Sequence, residues 1–250
     1  DYSVSGAEVA DRLSSLPALS YDNSHVVEIP KGSIDTRVGH EVTDNRGGPD
    51  LFGYTWIDSD EPGGPVFTWT DIASTGTLLS GLSGCDDCYT SAPIGFAFPF
   101  YGTSYSTMYV STNGYITFGS GTSQYSNNTL PGTGMPANLI AAFFDDLSTG
   151  TSGNVYYQNF NNYTIVQFQN IGQLGGSGRY TFQIVLWRDG KIDIKFRTVS
   201  GTVTSATTGI QNGTRNTGLL VQYNTTYVKN SLAITFRSYP SWFQMTKAEG

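Results

Sequence analysis

Tyr180-Thr-Phe-Gln-Ile-Val-Leu-Trp-Arg-Asp-Gly-Lys-Ile-Asp-Ile-Lys-Phe196 is the stretch that decides the fold. Tyr180, Phe182, Ile184 and Leu186 alternate with Thr181 and Gln183, and Ile192, Ile194 and Phe196 alternate with Asp193 and Lys195. Successive side chains of an extended chain point to opposite faces. This period of two therefore predicts two strands with one packed face and one face in water. Asp189-Gly190 between them suits the positive φ angles of a type I′ hairpin turn. Two more hairpins read the same way. Residues 109–118 turn at Asn113-Gly114, and residues 155–168 turn near Asn161-Asn162.

Outward from these hairpins, short strands are predicted at 52–57, 66–72, 94–100, 108–118, 139–144, 207–211, 219–223 and 232–236. No long helical crossover separates them. The expected fold is all-β, an antiparallel β-sandwich or jelly-roll-like single domain, rather than a parallel sheet. Gly-rich stretches at 119–134 and 172–178 are expected to be surface loops. Residues 1–47 read as an N-terminal extended arm, residues 48–237 as the sandwich module, and residues 238–250 as an apolar C-terminal tail. Within the arm, the capping-box spacing Ser5-Gly-Ala-Glu8 predicts a short helix over 7–16, and residues 25–29 and 34–38 look extended.

Charged residues make up 13% of the chain, about half the usual share, and Gly, Ser, Thr, Asn and Tyr take their place. The 14% aromatic content and the regular alternation argue against disorder. Net charge is −7, and the 13 Lys and Arg are scattered singly. No basic stripe exists to neutralise phosphates, which excludes nucleic acid and disfavours an anionic membrane surface. No apolar run approaches the roughly 20 residues of a spanning helix. Cys85-Asp-Asp-Cys88 lacks both the strand-to-helix setting of a redox motif and the second pair of a zinc site. A local disulfide formed in an oxidising compartment is expected. Asn127, Asn162, Asn212 and Asn224 each begin a glycosylation sequon. These features point to a secreted, extracellular glycoprotein of a cell-surface appendage or matrix.

Gly48-Pro-Asp-Leu-Phe-Gly-Tyr-Thr-Trp-Ile-Asp-Ser-Asp-Glu-Pro-Gly-Gly-Pro65, Gly95-Phe-Ala-Phe-Pro-Phe-Tyr-Gly102, Val110-Ser-Thr-Asn-Gly-Tyr-Ile-Thr-Phe118 and Leu139-Ile-Ala-Ala-Phe-Phe-Asp-Asp-Leu147 carry a family resemblance. Over residues 48–237 the chain resembles a β module of secreted and surface proteins of bacteria. More distantly, Ser111–Gly119, Ala141–Leu147 and Asn154-Val-Tyr-Tyr157 resemble pieces of the nidogen-type extracellular domain. The resemblance implies an extracellular β module of structural or adhesive proteins, without an established catalytic centre.

The residues point the same way. The two histidines, His25 and His40, both lie in the arm, and no Ser occupies a Gly-x-Ser-x-Gly elbow, so a Ser or Cys triad lacks its base. Glu61 is the single Glu of residues 48–237, which leaves a two-carboxylate glycosidase centre unsupported. No enzyme is expected. The acids have another use. Asp58, Asp60 and Glu61 share one turn, and Asp145 and Asp146 end an apolar strand, as oxygen ligands of calcium do. Alternatively, Asp58 and Asp145 bond backbone N–H groups and fix turns.

The expected function is an extracellular structural subunit that assembles into a filament by strand addition between copies. His25, Val26, Val27, Ile29, Ile34 and Val38 of the arm, with Trp242 and Phe243 of the tail, are the candidate subunit contacts. The arm could instead pack on its own sandwich. The competing function is a monomeric adhesive module that binds glycans or protein.

Overall fold

The computed structural model describes residues 28–238. The helix expected over 7–16, His25, Val26, Val27 and the tail with Trp242 and Phe243 lie outside them. The described residues form two antiparallel sheets. The first runs in the order β1 (Arg46–Gly47), β2 (Tyr54–Asp58), β15 (Leu232–Ser238), β12 (Ile192–Ser200), β11 (Arg179–Trp187), β10 (Tyr163–Gln173), β9 (Asn154–Asn159) and β3 (Thr77–Leu78), with β8 (Leu147–Ser148) also on β10. The second runs β14 (Gly218–Tyr223), β13 (Thr207–Gln211), β7 (Leu139–Phe144), β6 (Tyr115–Phe118), β5 (Thr103–Ser111) and β4 (Tyr89–Phe100). The fold is the expected β-sandwich.

The hairpins form where the sequence placed them, with different turn chemistry in two of the three. At Asn113-Gly114 and Asp189-Gly190 only the glycine takes a positive φ, 78° and 87°. Ser111 pairs with Tyr115, and Trp187 N–H donates to the Lys191 carbonyl at 2.9 Å, so each loop holds three residues. A left-handed glycine closing a three-residue loop replaces the two-residue type I′ turn. The third hairpin closes with Phe160 N–H donating to the Tyr163 carbonyl across Asn161-Asn162.

Alternation then fills the interior. Phe182, Ile184, Leu186, Ile192, Ile194 and Phe196 are fully buried between the sheets. Phe143 of β7 reaches across to Tyr180 at 4.4 Å, Phe182 at 6.2 Å and Phe196 at 6.4 Å. Each such side chain contributes roughly 1.5–3 kcal/mol by leaving water.

The opposite faces do not meet water, contrary to the reading of the alternation. Gln183 and Gln167 are fully buried and Asp193 nearly so. Residues 66–72, expected to be a strand, instead cross this outer face as a strap. Side chains of the sheet satisfy the strap's backbone. Ile72 N–H donates to Gln167 Oε1 at 3.0 Å, and Gln183 Nε2 donates to the Thr70 carbonyl at 2.7 Å. Gln167 and Gln183 sit opposite each other in the ladder and bond at 2.7 Å. The Gly-rich stretch 119–134 is likewise more than a surface loop. Leu130 packs with Met135 on Tyr115, Leu139, Ala141 and Phe144. That cluster explains why β7 is buried on both faces.

The sheet edges differ. β1 and β3 have two residues each, and β4 is broken by Pro93, Pro99 and a register shift between Pro93 and Phe98. β14 keeps six residues without proline, and its far side pairs with no strand. Short strands and prolines protect edges. β14 lacks both devices, and the arm runs beside it.

Candidate functional site

The described part of the arm, residues 28–45, forms no ladder and is extended after a turn at 31–32. It packs on its own sandwich, which is the alternative the sequence left open. Asp35, Arg37 and Gly39 face the protein, while Ile34 is 77% and Val38 89% exposed. Over residues 34–39 the polar side is turned in and the apolar side out.

A closed ring of hydrogen bonds explains this orientation. Arg37 grips Asp35 with Nε–H to Oδ1 at 3.0 Å and Nη2–H to Oδ2 at 2.7 Å. Arg37 Nη2 also donates to Asn127 Oδ1 at 2.7 Å, and Asn127 Nδ2 donates to Asn224 Oδ1 at 2.8 Å. Asn224 Nδ2 returns to Asp35 Oδ2 at 2.8 Å. Burial pushes the Asp35 carboxyl up, but the bonds from Arg37 and Asn224 outweigh it and hold the group below the ordinary carboxylate value. Charge-assisted bonds of this length are the strong ones. Gly39 then lets the backbones touch. Its N–H donates to the Asn224 carbonyl at 2.9 Å, and a Cβ there would lie 1.6 Å from the Tyr223 carbonyl oxygen.

Two sequons are absorbed by this ring. Asn127 and Asn224 are 4% and 2% exposed and their amide hydrogens are used, so neither is available to a glycan in the folded chain. Their bonding capacity serves structure instead. Asn162 is exposed and Asn212 half-buried.

The expected calcium ligands separate. Asp58 is fully buried. Its Oδ1 accepts from Asp60 N–H at 2.9 Å and Glu61 N–H at 3.2 Å, and its Oδ2 accepts from the Tyr227 hydroxyl. Asp60 pairs with Lys229 at 2.6 Å and Glu61 with Arg46 at 3.6 Å. This group fixes a turn and anchors a tyrosine. Asp50 does the same eight residues earlier, accepting from the N–H groups of Phe52, Gly53 and Tyr54 and from the Tyr101 hydroxyl.

Asp145 and Asp146 lie under the arm. Asp145 Oδ2 accepts from Ser205 Oγ at 2.7 Å and Gln173 Nε2 at 2.9 Å, while Oδ1 accepts from Asp146 N–H at 2.9 Å. Burial pushes this carboxyl up to about 6, and those three bonds restrain the rise. Asp146 Oδ2 accepts from Gly32 N–H of the arm at 3.1 Å. Burial raises its pKa as well. The carboxylates that do converge are those of Asp86, Asp87 and Asp146, whose oxygens lie within 4.8 Å of one another. Asp86 and Asp87 come from the loop closed by the Cys85–Cys88 disulfide. Lys31 enters this group, 2.8 Å from Asp86 and closer to Asp87, and its ammonium lies 4.9 Å from the Tyr125 ring. Calcium takes six to eight oxygens. Lys31 pairs with Asp86 and Asp87, and Gly32 N–H bonds Asp146, so the three carboxylates anchor the arm.

Sequence reasoning missed Lys31, Asp35 and Arg37. One signal was present: in an extended chain Asp35 and Arg37 fall on the same side, opposite Ile34 and Val38.

Beyond the ring, residues 38–48 and β14 enclose a slot of about 540 Å³. Trp56, Leu219 and Val221 line it, and Val42 packs against the core nearby.

Residues 65–241 match the family model described as NIDO related. No curated protein and no solved structure matches the chain. The arm and the Gly48–Gly64 stretch lie before the matched region, while both sheets lie almost entirely within it. The match covers well over half of the 250 residues, and the chain belongs to the nidogen-related family.

Proposed function

We propose that this chain is an extracellular structural module that associates with copies of itself through the outward face of its docked arm. The observation that carries the reading is the inverted arm, with Asp35 and Arg37 turned in and Ile34 and Val38 turned out. Burying two aliphatic side chains would stabilise the arm by roughly 1.5–3 kcal/mol each. The ring forgoes that gain in its own sandwich and leaves it for a partner. The slot between the arm and β14, on the same flank, offers a second copy an apolar floor and a strand edge that no other strand pairs among the described residues. A contact between unlike patches propagates from copy to copy, as a filament requires.

An extracellular setting agrees with the charge-poor composition, the Cys85–Cys88 disulfide and the nidogen-related family. The role is non-catalytic. His40 is exposed on the arm, and the buried carboxylates Asp58 and Asp145 bond backbone, hydroxyl and amide donors. Sedimentation velocity of the whole chain over a concentration series, beside the Ile34→Ser/Val38→Ser variant, tests the reading. Association in the wild type that the variant loses supports it.

A further inference from the structure

The outer face of the first sheet carries a groove of about 490 Å³. Its floor is formed by residues of β2, β15, β12 and β11, and one wall is the start of the strap, residues 63–68. The size lies within the roughly 300–1,000 Å³ of small-ligand sites. Its charge is opposite to that of the whole chain. Lys191, Lys195 and Arg237 line it against one acid, Asp193, in a protein of net charge −7.

Asp193 is already committed. Its Oδ1 accepts from the Thr235 hydroxyl at 2.7 Å, and its Oδ2 accepts from Trp187 Nε1–H at 2.7 Å and lies 3.0 Å from Lys191 Nζ. Lys191 is therefore neutralised, and its ammonium also covers the Trp187 ring at 3.8 Å. Lys195 and Arg237 reach no carboxylate within ion-pair distance among the described residues. Lys195 Nζ donates to Thr68 Oγ1 at 3.2 Å, a neutral partner for a half-buried cation. Burial lowers the pKa of Lys195, with Lys191 adding to the fall and Asp193 opposing it. Arg179, Arg188 and Arg215 also lack a carboxylate partner among the described residues, but each bonds a backbone carbonyl; Lys195 and Arg237 are set apart by lining one groove together.

We infer that this groove binds an acidic glycan, with one hexuronate carboxylate held by Lys195 and another by Arg237, which lies four residues along β15 from Ala233, the partner of Lys195. Thr55, Thr68 and Thr235 line the groove, where the Thr68 hydroxyl can still donate and the Thr235 hydroxyl still accept, and Ile57 supplies apolar floor for the C–H face of the ring. Hydroxyl-rich lining favours a saccharide over an acidic peptide, whose backbone N–H groups need carbonyl acceptors at regular spacing. The site lies on a different surface from the arm and does not depend on self-association.

The test is calorimetric titration of the whole chain with an oligogalacturonate, with a neutral cello-oligosaccharide of equal length and with oligoglutamate. Saturable binding of the oligogalacturonate is expected, weakening steeply with salt, with no heat from the neutral sugar. Lys195→Met/Arg237→Met is expected to lower the affinity at least tenfold at an unchanged melting temperature. In the wild type, the Trp187 indole N–H resonance is expected to shift on titration, a readout that needs no variant. Absence of saturable binding, equal binding of oligoglutamate, retention of affinity in the double variant, or an unmoved Trp187 resonance would each overturn the assignment.

Discussion

β12 and the arm are both extended, both alternate with a period of two, and read that alternation in opposite senses. Ile192, Ile194 and Phe196 of β12 point inward and are fully buried, while Ile34 and Val38 point outward at 77% and 89% exposure. The difference lies in what holds each segment. β12 has a ladder on both sides, with β11 and β15, so its backbone is satisfied and its apolar face is free to choose the core. The arm has no ladder. It is held by Lys31, Asp35, Arg37 and the N–H groups of Gly32 and Gly39, so the polar side must face the protein. Period alone fixes the two faces of a segment. The hydrogen-bonding partner decides which face turns inward.

The sharpest contrast between the two regions comes from the core. Phe182→Ala removes a ring stacked on Phe168 at 4.5 Å and in contact with Phe143 and Phe196. A loss of about 3–5 kcal/mol is expected in urea unfolding, since a buried Phe→Ala leaves a cavity. A loss below about 1 kcal/mol would mean that the core does not carry the stability assigned to it.

Next in size is Asp145, which lies where the arm meets the sandwich. Its folded value of about 6 lies above the ordinary carboxylate value, so the native state holds this proton to higher pH than the unfolded chain. Its contribution to stability is present below about pH 4 and is lost as pH rises through 6. Asp145→Asn cannot ionise. Its stability relative to wild type is expected to rise by roughly 2 kcal/mol between pH 4 and pH 7. A flat difference curve would show that Asp145 titrates normally.

Arg37→Met breaks the ring from the arm's side and leaves the largely buried Asp35 carboxylate without its cation. A cost of about 2 kcal/mol is expected, in the range for a buried polar group left unpaired. Hydrogen exchange sharpens the comparison. The Gly32 and Gly39 amides should lose protection while those of Ile194 and Phe196 keep theirs. Equal loss in both regions would show that arm and core unfold as one unit.

Much of the sandwich was legible because alternation and turn residues are local. Residues 139–144 and 207–211 stand where the sequence placed them. Residues 66–72 misled because Phe67 and Trp69 alternate with Val66, Thr68 and Thr70 as the two faces of a strand do. Their backbone is satisfied by Gln167 and Gln183, a side-chain partnership no local pattern reveals. The site was harder to read for the same reason. Asn127 and Asn224 carry the sequon pattern, yet they meet each other and Arg37 across 97 and 90 residues of chain. Asp145 and Asp146 stood out in the sequence as possible calcium ligands because two acids end a run of apolar residues. Their partners, Ser205, Gln173 and Gly32, come from three distant segments.

The central claim is that the outward side of the arm is a contact surface between copies. Sedimentation velocity of the wild type and of Ile34→Ser/Val38→Ser over the same concentration series addresses it most directly. Both side chains are exposed in the single chain, so the substitutions should change its stability by less than about 0.5 kcal/mol. The account predicts a wild-type sedimentation coefficient that rises with concentration and a variant that stays monomeric. A wild type that remains monomeric throughout, or a variant that associates as readily, would contradict it.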